Sequence, residues 1–157
     1  MKKLTLLILI LAAFANGFAQ ESSFQVVTVK KIQADEIVTS LKVYNHVEVI
    51  LSDDTTSVIR IVGEKTTVEN TIVKINNGEM AVSSETDLTA ERVVVYVPAK
   101  YLQSVYIHGA SSVSTDGIIS NEQLDVIING SGTSAIKTSG KISQNTVGDF
   151  PLDHSTI

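Results

Sequence analysis

Two Gly-centred segments in the last third of the chain repeat one short pattern, and that repeat limits the possible folds more than any single motif does. Val105-Tyr106-Ile107-His108-Gly109-Ala110-Ser111 recurs, one period later, as Val126-Ile127-Ile128-Asn129-Gly130-Ser131-Gly132. Each unit runs on through small polar residues to a second Gly, Gly117 in the first and Gly140 in the second. The two second glycines are spaced slightly wider than the two first ones, so the later unit reads as carrying two extra residues. A β-branched run, a Gly turn and Ser/Thr filler at this period predict rungs of a β-solenoid. Alternation points Val105 and Ile107 inward, then Val126 and Ile128 one layer on. Val113 and Ile136, which share the spacing of Gly117 and Gly140, are expected to stack in the second wall. Gly109 and Gly130 fall at corners, where the backbone must turn sharply.

The rest of the chain reads as strands. Val, Ile and Thr supply 52 of 157 residues, and side chains branched at Cβ suit a pleated surface better than a helix. Val47, Val49 and Leu51 alternate with Glu48 and Ile50, and Asp53-Asp54 makes a polar turn. Val58 to Val62 is a further strand, ending at Gly63. Ile72 to Ile75 and Met80 to Val82 flank Asn76-Asn77-Gly78-Glu79, and Asn-Gly between apolar runs is a strong hairpin signal. Arg92 to Val97 is a strand that Pro98 stops, because proline has no N–H for a ladder. At most one short helix is expected, within 30–40 or 64–70.

The N-terminus reads as an export signal. Lys2-Lys3 precedes an apolar run from Leu4 to Ala15, and Gly17-Phe18-Ala19 offers small residues at the −3 and −1 positions before Gln20. The run is shorter than the roughly 20 residues that cross a bilayer, so cleavage after Ala19 is expected and no transmembrane anchor remains. The chain then divides into a signal peptide (1–19), an N-terminal segment (20–36), a β domain (37–143) and a C-terminal tail (144–157). The mature chain, 20–157, is long enough for one cored domain. Lys2 and Lys3 leave with the leader, so the formal charge moves from −5 to −7. An acidic surface without clustered Lys/Arg argues against nucleic acid as a partner. With no Cys, disulfides and thiolate metal sites are excluded.

The order of these pieces resembles a known family. An early alternating strand (Leu41 to Val49), a hairpin, and Val95-Tyr96-Val97-Pro98 lead straight into Leu102-Gln103-Ser104-Val105-Tyr106-Ile107-His108-Gly109-Ala110-Ser111-Ser112-Val113. This is similar to the head GIN domain of putative auto-transporter adhesins, over roughly residues 37–142. The resemblance implies an all-β fold, with N-terminal antiparallel strands and a hairpin leading into a short right-handed parallel β-helix, and no established catalytic activity. It differs from the family pattern in leaving the repeat soon after Gly140.

Catalytic and metal patterns are weak. His46, His108 and His154 are the only histidines, and none has a two-His spacing that places two ligands on one face. Asp53-Asp54 lacks the run of a calcium loop, no Ser sits in G-x-S-x-G, and Gly130-Ser131-Gly132 lacks the rest of a phosphate-binding fingerprint. No catalytic residue, metal, cofactor or specific binding residue is assigned. The expected function is a non-enzymatic secreted or surface module for a polysaccharide or protein, with self-association possible through its open end. The alternative is a small glycan hydrolase using carboxylates such as Asp116, Glu122 or Asp125.

Overall fold

The computed structural model describes residues 27–85 and 93–148. The expected signal peptide and the chain from 149 lie outside the described residues. The elements are β1 (Thr28–Gln33), β2 (Ser40–Val43), β3 (Glu48–Ser52), β4 (Val58–Gly63), α1 (Lys65–Glu69), β5 (Thr71–Asn76), β6 (Glu79–Ser84), β7 (Val94–Pro98), β8 (Ser104–His108), β9 (Ser112–Asp116), β10 (Gln123–Asn129), β11 (Thr133–Ala135) and β12 (Lys141–Val147). The helix falls in the second of the two expected windows. Strands form two six-stranded mixed sheets, ordered β1-β4-β7-β3-β9-β11 (sheet A) and β12-β10-β8-β2-β6-β5 (sheet B). Neither closes into a barrel.

Period-two patterning explains how the sheets stick together. In β3, β7 and β8 buried residues alternate strictly with half-buried ones. The inward set is almost all Val, Ile and Leu, and the inner faces of both sheets merge into one cluster containing Leu41, Val43, Val49, Leu51, Val105 and Ile107. Each such side chain, fully buried, contributes about 1.5–3 kcal/mol.

The centre of each sheet is parallel. Ser40 in β2 lies opposite Ser104 in β8, which lies opposite Asp125 in β10. At an equal distance further along each segment, Glu48 in β3 lies opposite Ser112 in β9, and Ser112 opposite Thr133 in β11. The chain therefore crosses from sheet B to sheet A at the same place in three successive layers. It does so through a left-handed residue each time: Asn45 (φ 57°), Gly109 (φ 67°) and Gly130 (φ 101°). A Cβ on Gly130 would come within 3.3 Å of the Gly109 backbone, so glycine is needed there for space as well as for conformation.

Several expectations change. The antiparallel pairs are β1–β4, β4–β7 and β5–β6, all at one end of the stack, whereas β2 and β3, early in sequence, are parallel strands in its middle. Alternation is the same for parallel and antiparallel neighbours, so it could not separate the two. Val126 does lie opposite Val105 and Ile128 opposite Ile107. Val113, however, lies opposite Ser134, not Ile136. The later unit is in fact shorter: Gln123 of β10 pairs with Lys141 of β12, a smaller offset than that between Val105 and Val126. Gly140 thus sits against the carbonyls of Asn121 and Glu122 and is not the counterpart of Gly117. The expected tail boundary at 144 cuts through β12, which stays paired to Val147. Residues 28–33, left within an unassigned N-terminal segment, form β1.

The hairpin forms as expected. Asn77 (φ 52°) and Gly78 (φ 75°) both adopt the positive φ of a type I′ turn. The Gly78 carbonyl accepts the Thr39 N–H at 2.8 Å, and its own N–H donates to Glu36 Oε2 at 2.8 Å, so the turn docks on the segment before β2. A Cβ on Gly78 would meet Thr39 Oγ1 at 3.2 Å. Gly78→Val should lower stability by on the order of 1–3 kcal/mol from backbone strain alone. Ile128→Ala, in the β10 core position, should cost roughly 2–5 kcal/mol. Urea unfolding measures both, and a midpoint unchanged in either variant contradicts the register described.

Candidate binding face

The outward residues of sheet B form a grid, because in-register parallel strands stack equivalent positions side by side about 4.8 Å apart. One row is Ser40, Ser104 and Asp125; the next is Lys42, Tyr106 and Ile127. Beyond it, Tyr44 and His108 lie side by side, with Asn129 next to His108. The Tyr44 and His108 rings stack with centroids 4.7 Å apart and planes 11° apart. Lys42 Nζ sits 5.8 Å from the Tyr106 ring centre and 2.9 Å from Glu79 Oε2. The Glu79 carboxylate, hydrogen-bonded to it, raises the Lys42 pKa above its ordinary value, so the ammonium stays charged. The result is a half-buried patch of three rings with amide, ammonium and carboxylate groups beside it.

At the Asp125 end of this face the surface dips into an open cleft of about 580 Å³, within the usual size range for ligand sites. Tyr101 and Ile37 are 55% and 62% exposed there, and Gln103, Glu122, Gln123 and Asp125 provide its polar lining. Asn121 fixes the turn beneath Tyr101. Its buried Nδ2 donates to the carbonyls of Ala99 (2.8 Å) and Leu102 (2.6 Å). Asp53 ties another wall down by accepting the Ser120 N–H at 2.8 Å and the Ser120 hydroxyl at 2.9 Å.

The residues singled out from sequence are dispersed. Asp125 and Glu122 border the cleft, while Asp116 ends β9 in sheet A. His46 (φ 61°) is part of a corner, His108 is in the ring patch, and His154 lies outside the described residues. Asp54 closes its own turn by accepting the Thr56 N–H at 2.9 Å, the solvated turn expected of Asp53-Asp54. Gly130-Ser131-Gly132 leads into β11, and no helix follows among the described residues to receive a phosphate. Among the described residues no three His, Asp or Glu side chains are placed to hold a metal. Sequence reasoning missed Tyr44, Tyr101 and Tyr106. The available signal was that Tyr44 and Tyr106 occupy outward positions of alternating strands.

The described residues form an all-β domain of two mixed sheets, with Tyr44, Tyr106 and His108 on the outer face of sheet B. The model of one family, putative auto-transporter adhesin, head GIN domain, matches residues 38–149, and the chain belongs to that family. Among solved structures, a putative adhesin from Bacteroides fragilis NCTC 9343 superposes with a TM-score of 0.54 at 11% identity, over 78% of each chain. A putative adhesin from Parabacteroides merdae ATCC 43184 gives 0.50 at 13% identity, over 78% of this chain and 58% of that one. At such identities these likenesses concern the fold alone. No curated protein matches in sequence.

Asp53 offers a local test of the cleft wall. The Ser120 N–H, then the Ser120 hydroxyl, lower its pKa below the ordinary carboxylate value. A depressed folded pKa gives stability that is present above the unfolded value of about 3.9 and lost as pH falls through the folded value. An NMR titration should therefore place the Asp53 midpoint below about 3.9. Ser120→Ala should move it part of the way back, since the backbone donor remains.

Proposed function

We propose that the protein is an exported, non-enzymatic adhesion module that holds a polysaccharide on the outer face of sheet B. In this reading the three B-to-A crossings are turns of a short β-helix, whose stiffness keeps the binding face flat. The observation that carries it is the ring patch: Tyr44 stacked on His108, with Tyr106 two positions away on β8. Sugar rings present apolar C–H faces to aromatic planes and hydroxyls to flanking amides and charges, and this patch offers both. Export is supported by the basic, apolar and small-residue order of segment 1–19, and by membership of an adhesin family.

A hydrolase would need two carboxylates about 5–10 Å apart across a glycosidic bond. Asp116 and Asp125 lie on different sheets, and Glu122 and Asp125 are both exposed at the cleft. Glu122 with Asp125 is therefore the pair that a cutting reading would have to use, and recovery of uncut glycan is the outcome that separates holding from cutting.

The test is retention of the purified mature protein on immobilised polysaccharides and on whole cells. Tyr44→Ala with Tyr106→Ala should reduce retention at least tenfold while the far-UV circular dichroism is unchanged, and bound glycan should be recovered uncut. Retention indifferent to both substitutions, or release of shortened glycan, would overturn the proposal.

A further inference from the structure

We infer that the cleft and the ring patch form one continuous track, with the cleft taking the end of a neutral glycan chain and the patch its next units. This rests on the polysaccharide reading above and adds where the chain ends and what charge it bears. Asp125 is the joint. It lines the cleft and also occupies the first row of the sheet-B grid, beside Ser104 and one row from Tyr106 and Ile127. The strand from Gln103 at the cleft to His108 at the far ring pair spans about 17 Å at ordinary strand spacing. That is long enough for several sugar units laid along β8.

The cleft is shaped as a terminus. Ile37, Lys100 and Tyr101 line both it and a smaller hollow bordered by Asp54 and Pro98, so these three side chains form the rib between the two. A chain running from the patch towards the cleft meets that rib and stops. The rib is held in place, because Asn121 pins the Ala99–Leu102 turn from below and the Gln103 N–H donates to the Thr39 carbonyl at 2.8 Å.

The lining selects the chemistry. Tyr101 and Ile37 supply apolar area for one face of a sugar ring. Gln103 and Gln123 carry amides that both donate and accept, which suits hydroxyl groups. Glu122 and Asp125 accept only, and among the described residues Lys100 is the single cation in the lining. Two carboxylates against one ammonium, on a chain of formal charge −5, disfavour uronic-acid or sulfated sugars.

The experiment titrates the mature protein with neutral gluco-, xylo- and manno-oligosaccharides of two to six units, each also with its reducing end reduced or its non-reducing end methylated. Affinity for one series should rise at least tenfold up to about four units, as expected for a track about 17 Å long, and one of the two end modifications should cost at least tenfold. Tyr101→Ala and Gln123→Ala should abolish the end effect, and Tyr106→Ala the gain with length. Oligogalacturonides of the same lengths should bind at least tenfold more weakly. Binding that is lost in Tyr106→Ala but indifferent to chain ends, Tyr101 and Gln123 overturns the track and leaves the polysaccharide reading standing. Equal binding of the acidic series overturns the neutral class. No binding by any series, with no retention on polysaccharide, overturns both readings.

Discussion

The parallel pairing of segment 40–52 with segment 104–116 is the constraint on which the rest of the molecule depends. It places β2 against β8 and β3 against β9 at one common offset, with Ser40 opposite Ser104 and Glu48 opposite Ser112. Closing a loop that long costs roughly 4 kcal/mol beyond a constant. The pairing buries Leu41, Val43, Val49 and Leu51 against Val105, Ile107 and Val113, all at most 1% exposed. Burial of these side chains in the common core is what offsets the closure cost. On one side β6 and β7 pair with β2 and β3 at two different offsets, Glu79 opposite Ser40 and Val94 opposite Glu48, while on the other β10 and β11 pair with β8 and β9 at one common offset.

Repetition of the crossing matters as much as the pairing. A strand that changed sheets at a different residue in each layer would bring mismatched side chains together. Asn45, Gly109 and Gly130 turn the chain at the same level, so inward positions stack on inward positions. The same regularity acts on the outer face, where Tyr44 meets His108 because both immediately precede the turning residue of adjacent layers. Core and candidate binding face therefore share one cause.

Much of the fold was legible from local signals. The strands at 48–52, 58–63 and 94–98, the Asn77-Gly78 hairpin and the pairing of Val105 with Val126 all follow from alternation, turn chemistry and the offset between the two Gly-centred units. The failures share a physical origin. Gly140 looked like the partner of Gly117 because both are glycines after a polar stretch, yet it is demanded by the carbonyls of Asn121 and Glu122 packed against it. Ile136 looked like the apolar partner of Val113, but ladder register is set by the crossing at Gly130, and that puts Ser134 there. The corner at Asn45 (φ 57°) carries no such signal, because asparagine enters the left-handed region without being as distinctive in sequence as glycine.

By itself the sequence determined which residues face inward, where the chain can turn, and that its surface is polar and acidic, since these depend only on neighbours a few positions apart. Tertiary structure alone decided that β2 and β3 lie in the middle of their sheets, because hydrogen bonds between segments so distant in the chain leave no local periodicity. It decided the candidate site for the same reason. Tyr44, Tyr101, Tyr106 and Asp125 are ordinary residues where they stand in the chain. Tyr44, Tyr106 and Asp125 share one face only because parallel register stacks β2, β8 and β10 about 4.8 Å apart, and Tyr101 stands in the turn between β7 and β8.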